Sequence, residues 1–205
     1  MSETRDRIRF AAMRLFAQKG YGSTSVADIL QESGVKSGSL YYFYPGKQDV
    51  LIDVLDTYLA GIHPMLLQPA WAGVPDPIDR VFALLDRYRG ALESSECTYG
   101  CPIGSIALEI HEPDPPVRER LAANFDAWVA AIERCFVDAG PRLPSDCDRR
   151  ALAVFALTTM EGGVMLSRTH RSLDGFDTAV RMLRSHIDLL AERGDMPSTP
   201  LQTPP

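Results

Sequence analysis

TSVADILQESGVKSGSLYYFYPGK, residues 24–47, decides the fold. Ser25 and Asp28 make an S-x-x-D capping box that opens a short helix. Val26, Ile29 and Leu30 give that helix an apolar face, Gly34 breaks it, and Val35 plugs the turn. A second helix starts near Ser37 and runs through Leu40 to Tyr42, with Lys36 beside its start. Two short helices around a tight turn are helix-turn-helix geometry, whose second helix lies in the major groove of DNA. The side chains it would present, Lys36, Ser37, Gly38, Ser39, Tyr41 and Tyr42, are small, basic, polar or aromatic. Such groups can approach phosphates and base edges closely. Pro45 stops the second helix. Lys47 then opens the next one, where a lysine and free backbone N–H groups can hold one phosphate together. One of the two adjacent tyrosines should turn inward, and Tyr41 is expected to be at least partly core.

Outward from this stretch the spacing is helical throughout. Ile8, Ala11, Ala12, Leu15 and Phe16 predict a helix over 4–19 ended by Gly20, with Arg5, Arg7 and Arg9 near its start as phosphate contacts or a solvated face. Val50, Leu51, Val54, Leu55, Tyr58 and Leu59 predict another over 47–62, ended by His63-Pro64. Asp76-Pro77 and Asp114-Pro115 are start signals for helices over 77–93 and 115–139. Between them 101–110 reads as a short helix. Ser145 with Asp148 is a further capping box before an apolar helix through Leu166, and Asp174 and Asp177 cap a last one. The Pro-rich 195–205 reads as a disordered tail. No strand-like alternation and no repeat are present. The chain is therefore expected to be all-α with about nine helices: a helix-turn-helix domain over 1–50, then a larger helical domain over 51–194.

Residues 1–50 hold seven Lys/Arg against five Asp/Glu, whereas the rest hold fourteen against twenty-two. A mildly basic head on an acidic body suits a DNA reader joined to a domain with another task. No export signal and no apolar run of about 18 residues stand out, so a cytoplasmic location and no membrane partner are expected. Cys97, Cys101, Cys135 and Cys147 lack C-x-x-C spacing and read as thiols. No G-x-S-x-G, H-E-x-x-H, P-loop or G-x-G-x-x-G is present, so no enzyme activity is expected. The four histidines are scattered, and neither metal nor cofactor is expected.

The segment from Ile8 to about Leu51 resembles the DNA-binding domain of TetR/AcrR repressors. The resemblance rests on an amphipathic helix, Gly20-Tyr21, the capped second helix, Gly34-Val35, Gly38-Ser39-Leu40-Tyr41-Tyr42, Pro45 and Lys47 in fixed order. Two positions depart: Lys36 stands where the family commonly has a capping serine, and Phe43-Tyr44 where it has His-Phe. The resemblance implies a homodimer on a palindromic double-stranded operator, with Tyr42 and Lys47 on phosphates and Ser25 near the DNA. It implies a dimer through the last two helices, and EGGVMLSR (161–168) is similar to the family's interface helix. Ala151, Ala153, Ala156, Gly162 and Gly163 would also permit close helix approach there. A ligand-responsive regulator, acting as a repressor and released by a small-molecule effector, follows. Candidate pocket residues are Tyr88, Cys101, Ile103, Phe125, Trp128 and Met160. Gly100-Cys101 resembles electrophile- and oxidant-sensing members, so a thiol switch at Cys101 is the alternative; a thiol at a helix N-terminus has a stabilised thiolate. Cys97 could then resolve it.

Overall fold

Ser25 and Asp28 satisfy each other as the sequence predicts. The Ser25 hydroxyl accepts from Asp28 N, and the Asp28 carboxylate accepts from Ser25 N. Gly34 closes the helix in the left-handed region at φ 63°, where glycine escapes the Cβ penalty. The computed structural model describes residues 3–98 and 100–194, so the predicted 195–205 tail lies outside the described residues. Among them are nine helices and no strand. The head contains α1 (Glu3–Lys19), α2 (Val26–Ser33) and α3 (Ser37–Phe43), and α4 (Lys47–Gly61) leads out of it. The body contains α5 (Pro77–Ser94), α6 (Pro102–Glu109), α7 (Pro115–Asp138), α8 (Arg149–His170) and α9 (Asp174–Gly194).

Four local expectations are corrected. His63-Pro64 does not end the fourth helix. The chain widens into a π-helical turn, Ile62–Leu67, and continues as Gln68–Trp71. A wider turn absorbs the N–H that Pro64 lacks, and Gln68 N donates back to His63 O. The resulting run, Lys47–Trp71, is long and apolar enough by composition to cross a membrane, with mean hydropathy 1.4. Its Val50, Leu51, Val54 and Leu55 are instead core residues. The cap of α8 is Asp148, which accepts from Ala151 N, rather than Ser145. Neither Asp174 nor Asp177 caps α9: Asp174 is its first residue and its N–H donates to Ser172 Oγ, and the two Asp177 oxygens take Arg89 of α5 at 2.8 and 3.0 Å.

Two apolar cores result. One joins α5, α7, α8 and α9 through Leu84, Phe136, Ala153, Met160, Phe176, Leu183 and Ile187. The other joins α1–α4 through Ile8, Phe16, Ile29, Leu40 and Leu51, and runs on into Cys101, Ile103, Ile106, Val117 and Leu121 of α6 and α7. The head is thus bedded on the body by shared core. Tyr88 and Phe125 pack against both clusters.

Candidate nucleic-acid interface and effector pocket

The exposed face of α3 is where the sequence puts the reader. Lys36, Ser37, Gly38, Tyr41 and Tyr42 are exposed, and Ser39 is half-buried. Tyr42 is 81% exposed and rests edge-on against Phe43. A Cβ added at Gly38 would meet nothing, so a backbone could approach there. Lys36 is the N-cap residue but offers no side-chain cap. Tyr41, expected inward, is 53% exposed. The inward residues are Leu40 and, four positions on, Tyr44 at 2%. Tyr44 donates to Asp53 Oδ2 at 2.5 Å and receives Arg5, which also pairs with Asp53 at 2.9 Å. Burial, and the bond to Asp53, push the Tyr44 hydroxyl up to about 12, so it stays protonated and ties the end of α3 to α1 and α4.

The basic residues near α1's start are internal ties. Arg7 donates to Ser33 O, Arg9 is buried beside Asp6 and Asp53, and Arg5 is the partner just described. Lys47 is half-buried, donates to Tyr21 O and Thr24 O at 2.9 Å each, and lies 4.2 Å from the centre of the Tyr21 ring. Ser25 is exposed, but its hydroxyl is engaged with Asp28. The Asp28 carboxyl is held down at about 2 by Ser25's backbone N–H first, then its hydroxyl and Lys19.

A cavity of about 770 Å³ opens between head and body. Phe10 and Met13 of α1 form part of its wall, with Tyr58, Ile62 and Met65 of α4 and its continuation, Tyr88 of α5, Cys101 and Ile103 at α6, and Asn124 and Trp128 of α7. The size and mostly apolar wall are those of a small-molecule site. Tyr88 and Trp128 meet edge to face at 5.7 Å. Of the predicted pocket residues, Tyr88, Cys101, Ile103 and Trp128 are in this wall. Met160 is instead fully buried in the body core, and Phe125 sits between the two cores. The other end of α6 reaches the head, where Glu109 accepts from Tyr21 N at 2.7 Å and Gly22 N at 2.6 Å.

Comparison with known proteins agrees with this geometry. Residues 8–54 match the family described as bacterial regulatory proteins, tetR family, and residues 77–182 match the C-terminal domain of LmrA/YxaF-like transcriptional regulators. The HTH-type transcriptional regulator Rv0196 of Mycobacterium tuberculosis is 34% identical over 198 residues, covering 94% of this chain and 97% of the relative. The chain belongs to the TetR family. LmrA of Bacillus subtilis is 28% identical over 171 residues, 83% of this chain and 89% of the relative. Among solved structures, a TetR transcriptional regulator of Chloroflexus aurantiacus superposes with TM-score 0.78 at 28% identity, covering 91% and 94% of the two chains. A regulatory protein TetR of Rhodobacter sphaeroides has the same fold, with TM-score 0.81 at 22% identity over 90% and 99%. The TetR family is one of transcriptional regulators, not enzymes, and this chain is a helix-turn-helix member of it.

Within this TetR-family body, Cys101 lacks the environment of a reactive thiol. It caps α6 as predicted, accepting from Gly104 N at 3.5 Å, and backbone N–H groups pull its pKa down. Burial and the Glu161 carboxylate outweigh them, and the thiol is pushed up to about 12. Burial likewise raises Glu161, partly offset by its bond from Cys101. Cys97 is also buried. The expected thiolate stabilisation by the helix end is present but is the weaker effect.

The sequence reading missed Glu109, Asn124, Phe10 and Met13. Asn124 was findable: it falls between Leu121 and Trp128 on the apolar stripe of α7, where a polar side chain is out of pattern. Glu109 carried no signal, since a carboxylate at the end of a helix is ordinary in sequence.

Proposed function

We propose that this protein is an effector-responsive repressor that binds a palindromic operator as a homodimer and leaves it when a small molecule fills the 770 Å³ cavity. The observation that carries this reading is the wall of that cavity, which takes Phe10 and Met13 from the same helix, α1, that braces the reader. A ligand there touches head and body at once. It can shift operator affinity by the difference in its affinity for two head positions. Tyr42 and Lys36 supply phosphate contacts and the Ser37–Tyr41 face lies along base edges. Lys47 orders the loop after α1 and reaches phosphate only by giving up part of that role. Two half-sites give the dimer its specificity, as two-fold readers require.

The dimer face is α8 with α9. Val154, Phe155, Met165 and Leu166 on α8, and Met182 and Leu189 on α9, are large apolar residues left exposed. Large apolar residues left exposed on two neighbouring helices are the kind of surface that marks an association site. The first test is binding to the DNA upstream of the protein's own gene against a scrambled duplex at one fixed salt, because the phosphate contribution falls steeply with salt. Preference for the upstream duplex is expected, with affinity weakened roughly tenfold in Tyr42→Ala. If neither that duplex nor any member of a random-duplex selection is preferred, the operator reading fails.

A further inference from the structure

One side chain in the cavity wall has a polar atom that the fold leaves without a partner. Asn124 is fully buried on α7, on the stripe between Leu121 and Trp128. Its Nδ2 donates to Leu55 O of α4 at 3.1 Å and to Arg120 O at 2.9 Å. Both partners are carbonyls, so the amide can only present its NH₂ to them, and its orientation is fixed by chemistry. Oδ1 is then left as a buried acceptor that no donor among the described residues reaches. A buried acceptor without a partner costs stability, whereas a leucine would continue the apolar stripe at no such cost. Asn124 is nevertheless part of the cavity wall.

The rest of the wall limits what can supply the donor. Phe10, Tyr58, Tyr88 and Trp128 offer aromatic surface, and Met13 and Met65 adapt to irregular shapes. None of the described lining residues is Asp, Glu or Lys, and Arg87 is the charged one. A cationic ligand would find no counter-charge, whereas Arg87 could meet an anionic group, so the donor is a neutral O–H or N–H on a molecule that carries no positive charge. We propose that the cavity takes a non-cationic, ring-bearing small molecule whose buried hydroxyl or N–H donates a hydrogen bond to Asn124 Oδ1. The proposal rests on the cavity being the effector site.

The test uses the full chain carrying Trp71→Phe, which leaves Trp128 as the single tryptophan of the two in the sequence. Quenching of Trp128 reports occupancy. The probes are 2-naphthol, 2-methoxynaphthalene, naphthalene and 2-naphthylmethylammonium at neutral pH. Naphthol is expected to bind about tenfold more tightly than either neutral ring lacking the donor, as for a buried hydrogen bond made or missed. The preference is expected to vanish in Asn124→Leu while naphthalene still binds. Should that variant fail to fold, the probe series on the asparagine protein decides alone. Equal binding of the three neutral rings, or a preference that survives Asn124→Leu, overturns the role of Asn124 and leaves the cavity reading standing. Ammonium binding as tight as naphthol overturns the exclusion of cations. Absence of quenching by every probe overturns the effector-site reading itself.

Discussion

Glu109 grips Tyr21: its Oε2 accepts the Tyr21 backbone N–H at 2.7 Å, and Oε1 takes the neighbouring Gly22 N–H. A carboxylate at the C-terminal end of a helix is disfavoured by the helix dipole. Two backbone donors from the loop after α1 offset that cost. The loop is shaped to deliver them: Gly20 stands at φ 86°, and a Cβ there would approach Glu109 Oε2 to 2.9 Å. Because α6 begins at the cavity with Cys101 and Ile103 and ends on this loop, any movement of α6 would be passed directly to the head. Glu109→Ala is therefore expected to release the amides of Tyr21 and Gly22, raising their hydrogen-exchange rates several-fold. Its thermal midpoint should fall by only a few degrees, since two exposed bonds are worth about 1–2 kcal/mol. Unchanged exchange at both amides would remove Glu109 as the coupling contact.

Tyr42 and Lys47 should separate cleanly. Tyr42 is almost free of the protein, so Tyr42→Ala is expected to leave the denaturation midpoint within error and to weaken operator binding roughly tenfold. Lys47 holds Tyr21 O and Thr24 O, so Lys47→Ala is expected to lose about 1–2 kcal/mol of stability. Its effect on DNA is read from the salt dependence of binding. A slope lowered by about one indicates a lost phosphate contact, and an unchanged slope indicates a purely internal role.

The reader was legible because its signals are local. A capping box, a left-handed glycine and an apolar spacing each act over three or four residues, and α2 and α3 start where those signals put them. Tyr41 was misplaced because adjacency on a helix does not decide which of two residues faces in. Tyr44, one turn after Leu40, has the register for that role and a partner in Asp53, nine positions away. Likewise Asp177 has the position of a first-turn acid, yet Arg89, 88 residues distant, takes it. The same distance hides Glu109. Cys101 shows the limit from the other side: the helix terminus that lowers a thiol pKa is local and readable, whereas the burial and Glu161 that raise it come from other helices.

That balance makes a pH prediction. The folded Cys101 thiol, raised to about 12 from its ordinary 9.0, keeps its proton where the unfolded chain has lost it. The native state then binds more protons, so this contribution is fully present below pH 9 and is lost as pH rises from 9 toward 12. The denaturation midpoint of the protein should fall more steeply above pH 9 than that of Cys101→Ser. At pH 8 a thiol reagent should label Cys101 only through opening of the fold, and operator binding should survive brief alkylation. Rapid labelling of Cys101 in the folded protein, with loss of DNA binding, would instead restore a thiol switch.

The exposed stripe on α8 and α9 gives the last prediction. Phe155 is 46% exposed and meets His186 of α9 edge-on at 5.9 Å, so the two helices present one surface, and Met182 on α9 is 63% exposed. Nothing among the described residues requires these side chains to be apolar, because the core beneath is completed by Ala153, Ala156, Leu183 and Ile187. A glutamate at either site costs little in the isolated chain. In a two-fold interface each substitution is met twice, and four charges are brought onto one apolar contact by the double change. Phe155→Glu with Met182→Glu is thus expected to shift the light-scattering mass from twice 22.6 kDa to 22.6 kDa while keeping the helical circular dichroism. Because the second half-site is then bound independently, operator affinity should fall by a factor on the order of 10²–10⁴. A dimer mass retained by the double variant would place the interface on another face, and the apolar stripe would need a different partner.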